Sequence, residues 1–137
     1  IESIDGEAFL DTARNQAATF GAERREEEVT DVALEADGFS VSTAEGAASA
    51  DYLILATGSN RDLAHRLGCA FTDDETVAVD VTMETSIEDV YATGAMIRTE
   101  EWQAIISAGD GAAAALNILS KEKGEHFHDF DTPEDAE

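Results

Sequence analysis

Two short runs of residues constrain what this chain can become. Residues 52–56, Tyr-Leu-Ile-Leu-Ala, and residues 90–92, Val-Tyr-Ala, are apolar at every position, and each leads into Thr-Gly. The first ends as Ala56-Thr57-Gly58 and the second as Ala92-Thr93-Gly94. Strands apolar on both faces belong inside a parallel sheet whose two faces are covered. A glycine at the strand's end removes the side chain that would block a close backbone approach. Residues 104–119 then predict a helix that begins soon after the second strand, with its free N–H groups aimed near that strand's end. Its Ala108, Ala112 and Ala115 predict a small-residue face packed close to a sheet. Gly109 and Gly111 would each cost that helix about 1 kcal/mol if exposed, which suits a helix with something large lying against it. The fold class these features imply is α/β.

The segments around this pair fill in the rest. Asp5 can cap a helix over residues 5–20, whose Phe9, Leu10, Ala13, Ala17 and Phe20 recur at helical spacing. Gly21 supplies the stop. Residues 28–35 read as a strand, Asp37-Gly38 as a tight hairpin turn, and residues 39–43 as its partner. Glu45-Gly46 makes a second turn and residues 48–50 a third short strand, giving an antiparallel meander. A short helical turn is expected at residues 62–67, a strand at 77–79, and a loop at 82–85. The main domain is read as residues 1–120 and an acidic tail as residues 121–137. The tail holds Pro133 and is expected to fray beyond Phe130.

Composition narrows the setting. The chain of 137 residues carries 31 acidic side chains against 8 basic ones, a formal charge of −23. Lys121 and Lys123 are its only lysines. A surface this acidic repels itself in dilute buffer and is relieved by screening. Acid excess with lysine depletion along the whole chain points to a high-salt cytoplasm of the haloarchaeal kind. The plain alternative is an ordinary acidic protein. Nucleic acid is a poor partner, because phosphate contacts need clustered cations and Arg24-Arg25 is followed at once by Glu26, Glu27 and Glu28. No apolar run approaches membrane-spanning length, so a membrane role is not expected. No signal peptide is visible. Cys69 is the single cysteine, which rules out an internal disulfide and fits a reducing compartment.

Read together, the two Thr-Gly strand ends resemble the FAD domain of thioredoxin-reductase-like flavoproteins, in the pyridine nucleotide-disulfide oxidoreductase superfamily. In that family a Thr-Ser segment leads into Val-Tyr-Ala-x-Gly-Asp, and a helix of the form Gln-Ala-x-x-Ala-x-x-x-Gly follows. This chain matches at Thr85, Ser86, Val90, Tyr91, Ala92 and Gly94, and again at Gln103, Ala104, Ser107 or Ala108, and Gly111. The resemblance implies a Rossmann-like parallel sheet carrying a small antiparallel meander, and FAD as cofactor. It assigns cofactor contacts to Val29 (beside the adenine), to Ala56, Thr57 and Gly58, to Gly94, Ala95 and Met96, and to Gln103, Ala104 and Ile105. The last three begin the helix, whose positive end would face the N1/O2 edge of the flavin and tune its potential.

Four departures from the family pattern shape the expectations. Ala95 stands where the family has an aspartate for the ribityl chain, a loss of roughly 1.5–3 kcal/mol if nothing replaces that hydrogen bond. No strand–Gly-x-Gly-x-x-Gly–helix occurs, and Gly109-Asp-Gly111 lies within a helix instead. With Ile1 first in the sequence, a preceding segment of about 30–50 residues, or another polypeptide, is expected to complete the sheet. Residues 58–85 are too few for the family's NADPH domain. No Cys-x-x-Cys is present, so a dithiol relay through this chain is excluded.

The resulting functional expectation is an FAD-linked oxidoreductase without its own nicotinamide domain, served by an external electron donor or acceptor protein. No catalytic acid or base is identified. The alternative is a non-catalytic, degenerate flavoprotein fold used as a binding or regulatory module. A homodimer, or a second chain completing a shared flavin site, is a further expectation. Lesser features have plainer readings. Cys69 reads as a small buried residue and His65 lacks an evident nucleophile partner. Asp73, Asp74 and Glu75 form a solvated loop, and Trp102 is expected to pack against the core at the helix start, the alternative being to stack on an isoalloxazine ring. His126 and His128 share a strand-like face without a third metal ligand.

Overall fold

The computed structural model describes residues 5–128. Its elements, in chain order, are α1 (Gly6–Thr19), β1 (Val29–Glu35), β2 (Gly38–Thr43), β3 (Gly46–Ala50), β4 (Leu53–Leu55), α2 (Asp62–Leu67), β5 (Val90–Ala92) and α3 (Ala104–Lys123). A single 3-10 turn, Gly94–Ile97, lies between β5 and α3.

The strand signals of the sequence resolve into two sheets. β1, β2 and β3 form the antiparallel meander, with Val32 opposite Val41 and Phe39 opposite Ala50. A bulge between Val29 and Asp31 breaks the register at the start of β1. β4 and β5 pair in parallel, Leu53 with Val90, Ile54 with Tyr91 and Leu55 with Ala92. This is the α/β fold with a parallel sheet and a meander that the sequence implies. One core joins the sheets. Val32 and Phe39 from the meander cluster with Leu53, Leu55, Val90, Ala92 and Met96.

The helix signals hold for position but not for face. Asp5 caps α1, its Oδ1 accepting from the backbone of Glu7 and Ala8 at 2.9 and 3.2 Å. Yet α1 buries none of its residues, and Phe20 at its end is 90% exposed. In α3 the expected face is turned outward: Ala108, Ala112 and Ala115 are exposed, while Asp110 and Ala114 are the buried residues. Gly109 and Gly111 have open space where a side chain would project. The helix is anchored by a polar group at Asp110, described below, and that anchor sets its rotation in place of the alanines.

Two further differences concern the connecting segments. Residues 77–79 make only a single bridge, Val77 to Phe71, and Val77 N–H donates on its other side to the Met96 carbonyl at 3.0 Å. α3 continues past the expected start of the tail, to Lys123, and closes on Gly124 in the left-handed conformation. Lys121 Nζ holds that last turn to Asp89 at 2.5 Å and to Glu84 at 3.4 Å. The expected fraying beyond Phe130 falls outside the described residues.

Candidate functional site

The site is built by the ends of the two parallel strands. Because Leu55 and Ala92 are partners, Ala56-Thr57-Gly58 and Thr93-Gly94 leave the sheet side by side. Thr93 N–H donates to the Leu55 carbonyl at 3.0 Å, extending the pairing one residue past β5. Arg61 then crosses from the first turn to the second, its Nε donating to the Met96 carbonyl at 3.2 Å. Thr57 Oγ1 lies 3.8 Å from Met96 Sδ. The two turns are thereby locked together by backbone and side chain.

The two glycines sit differently within this frame. Gly58 has φ +66°, is exposed, and has nothing within 4 Å of where a Cβ would stand. Gly94 has φ +74° and is buried, and a Cβ there would come 3.2 Å from Ser107 Oγ on α3. Gly58 therefore leaves a bare backbone beside open space. Gly94 leaves room for the helix.

A cavity of about 620 Å³ opens beside the first turn, lined by Val29, Thr30, Thr57, Asn60, Leu63 and Arg66 among others. Val29 and Thr57 are thus brought to one concavity, although 28 positions separate them in sequence. The bulge at β1 exposes the Thr30 carbonyl, and Arg66 Nη1 donates to it at 2.6 Å. Asn60 and Arg66 carried no sequence signal, since their place depends on how α2 folds back onto β1. Glu27, Glu28 and Asp62 also line the cavity, so its rim is mostly anionic.

The remaining expected contacts divide. Ala95 is half-buried in the 3-10 turn. Met96 is fully buried, with its side chain in the core and its carbonyl taken by Val77 N–H and Arg61 Nε. Gln103, Ala104 and Ile105 are exposed at the start of α3, Ile105 by 77%. That helix start has no side-chain cap and no acidic residue in its first turn, so its leading N–H groups can receive an acceptor. Ser107, one turn further on, is the residue against Gly94, so the helix start lies within a turn of the second strand end.

The lesser features also find places. Cys69 is buried, with Sγ 3.7 Å from Thr85 Oγ1, and burial pushes its thiol up from the ordinary value. It is an inert packing thiol. His65 stacks on Phe71 with ring centroids 3.9 Å apart. Trp102 departs from its expected packing role. It is 57% exposed, its indole N–H donating to the Arg98 carbonyl at 3.2 Å and its backbone N–H to the Glu100 carbonyl at 2.9 Å. Asp73, Asp74 and Glu75 are solvated, as read. The rings of His126 and His128 lie 6.3 Å apart. Among the described residues no group of three or more His, Cys, Asp or Glu could hold a metal ion.

The fold and the paired strand ends define a class: an α/β domain of thioredoxin reductase architecture with a cavity beside the end of its first parallel strand. Residues 11–112 match the family described as pyridine nucleotide-disulphide oxidoreductase. The chain belongs to that family, which is FAD-binding. A thioredoxin reductase from Gloeobacter violaceus superposes with a TM-score of 0.83, at 18% identity, over 96% of this chain and 81% of that one. The atypical thioredoxin reductase TRi from Desulfovibrio vulgaris Hildenborough gives 0.81 at 17% identity, over 90% and 82%. In sequence, the chain is 34% identical over 93 residues to an NAD(P)H sulfur oxidoreductase (CoA-dependent) from Pyrococcus furiosus. That alignment covers 60% of this chain and 21% of the relative, so the chain spans about a fifth of that protein's length.

FAD is the cofactor these features accommodate in part. The open space beside Gly58 and the cavity shared by Val29 and Thr57 suit a nucleotide lying along bare backbone. The start of α3 suits an electron-rich ring edge. The phosphates are less well served. Arg66, the one cation lining the cavity, already serves the Thr30 carbonyl and lies 3.6 Å from Asp31.

Proposed function

We propose that this chain forms the FAD-facing part of a thioredoxin-reductase-like oxidoreductase whose electrons come from, or go to, a separate protein. The observation that supports it most is the side-by-side exit of Thr57-Gly58 and Gly94 from neighbouring parallel strands, next to a cavity that Val29 also lines. Bound FAD would supply the electron-transfer chemistry. The chain's own part is to bind and orient. Val29 and Thr57 would flank the adenosine half, and the exposed backbone at Ala56 and Gly58 would let the nucleotide lie close. Ala95 would meet it through backbone alone. Gln103, Ala104 and Ile105 would offer helix N–H groups to the ring edge, favouring negative charge there.

The chain holds one cysteine and a 58–85 connector that folds on itself through the Phe71–Val77 bridge. These features support a reading without a Cys pair and without a nicotinamide domain, and hence the external donor or acceptor. The apolar residues left at the surface, including Leu10, Phe20, Ile54, Ile105, Leu116 and Leu119, support completion of the sheet by a further segment or chain, or pairing of two copies. The charge of −23 supports a high-salt cytoplasm. No helix among the described residues is long and apolar enough to cross a membrane.

Purified chain in molar KCl, incubated with FAD and desalted, is expected to keep flavin absorbance and to quench flavin fluorescence. Reduction by NAD(P)H or reduced ferredoxin is then followed by stopped flow. A second reading, a non-catalytic module on the same fold, is favoured by Ala95 and by the acidic cavity rim. Absence of retained flavin would select it.

A further inference from the structure

Asp110 is the single buried carboxylate among the described residues. Its Oδ2 accepts from Gly94 N–H at 3.3 Å and from Arg98 Nε at 3.1 Å, and its Oδ1 accepts from Arg98 Nη2 at 2.5 Å. Gly94, at φ +74°, has turned out of the sheet, and this carboxylate is what receives its N–H. Arg98 engages through both arms of its fork, an arrangement that fixes direction as well as distance. The Arg98 backbone N–H donates to the Ala95 carbonyl at 3.3 Å, and its own carbonyl accepts from Trp102 Nε1. One carboxylate therefore ties α3 to both ends of the 94–97 turn, and through Arg98 to the approach of the helix start.

This placement answers a question left by Ala95. A residue there without a polar side chain can orient a ligand only through its backbone, so the pitch of the turn decides the contact. The acid that touches this turn comes instead from the helix behind it. We infer that Asp110, acting through Arg98, is a positioning residue for the flavin nucleotide, fixing the backbone of Gly94 and Ala95 relative to the α3 start. The inference rests on the proposed flavin site for its ligand, but its geometry does not.

Two readouts on the full chain in molar KCl separate these. Amide hydrogen exchange by NMR, without cofactor, compares wild type with D110N, R98K and, as a remote control, K121M. D110N is expected to speed exchange at Gly94 and Ala95 about tenfold or more, with Leu53 and Ala92 unchanged. R98K, which keeps the charge and loses the fork, is expected to do so to a smaller degree, and K121M not at all. Titration with FAD is then expected to show affinity reduced about tenfold in D110N and less in R98K. Exchange unchanged at Gly94, or rising only in step with Leu53 and Ala92, overturns the inference. So does faster exchange with unaltered FAD affinity. Failure of the wild type to take up FAD, with exchange at Gly94 still responding, overturns the flavin reading and upholds Asp110 as the anchor of the turn. Should D110N not fold, R98K decides by the same criteria.

Discussion

A methyl group added at Gly58 would enter open space, whereas one added at Gly94 would press on Ser107 Oγ at 3.2 Å. Both positions have positive φ, so alanine carries a left-handed backbone cost of about 1–2 kcal/mol at either. At Gly94 the crowding against α3 adds to it. Gly58→Ala is expected to lower unfolding free energy by about 1–2 kcal/mol. Gly94→Ala is expected to cost about 1–3 kcal/mol more. Chemical denaturation of the two variants in the same salt checks the order, and equal losses would show that Ser107 moves aside freely. The sequence marks both glycines alike, as the residue after Ala-Thr. It does not say which one stands clear and which one faces a helix, because that depends on where a helix begun ten residues later comes to rest.

At the level of elements, α3 is joined at its far end to the residues just before β4 and β5 by two contacts that titrate. Tyr52 O–H donates to Glu122 at 2.6 Å, and that hydrogen bond pushes the phenol up to about 12. The hydrogen bond from Lys121 to Asp89 holds its ammonium above the ordinary range, against a smaller opposing effect of burial. Tyr91 is also raised, chiefly by burial. Each group binds its proton more tightly folded than unfolded. The stability they lend is thus complete below about pH 10 and is lost as pH climbs from there through the folded values. Phenolate absorbance is expected to show neither tyrosine half-titrated at pH about 10 in the folded chain, while the urea-unfolded chain titrates there. Tyr52→Phe removes the step near 12. An ordinary midpoint for both in the folded chain would refute the contacts.

The same helix shows how far a sequence carries. Its start at Ala104 and the strand before it are legible from spacing and apolar content. Its rotation is not, since the alanine stripe competes with one charged residue whose partners, Gly94 and Arg98, sit 16 and 12 positions away. A buried ion pair of that kind outweighs a methyl-lined face, because leaving the carboxylate unpaired in the interior costs far more than exposing alanines.

For the whole molecule, charge dominates. With −23 distributed over 137 residues, repulsion favours expansion at low ionic strength, and at molar salt the screening distance shrinks to about 3 Å. Thermal unfolding is expected to move to higher temperature as KCl is raised from millimolar to molar. A midpoint indifferent to salt would count against adaptation to brine. The meander, the parallel pair and the order of elements could be read in advance because each is written in a contiguous run. The groove could not be read in full. Val29, Thr57, Asn60 and Arg66 converge only once α2 folds over the β1 bulge, a meeting that no single segment encodes.

The helix α1 buries none of its side chains, and the core opens with the meander. Between them stand Arg24 and Arg25, side chains about half exposed, in a stretch without regular structure. Limited trypsin digestion is therefore expected to cut there first and release the leading peptide. The remainder, from Glu26 onward, is expected to melt at an unchanged temperature. α1 would then be a passenger of this body, its greasy side reserved for whatever it meets next.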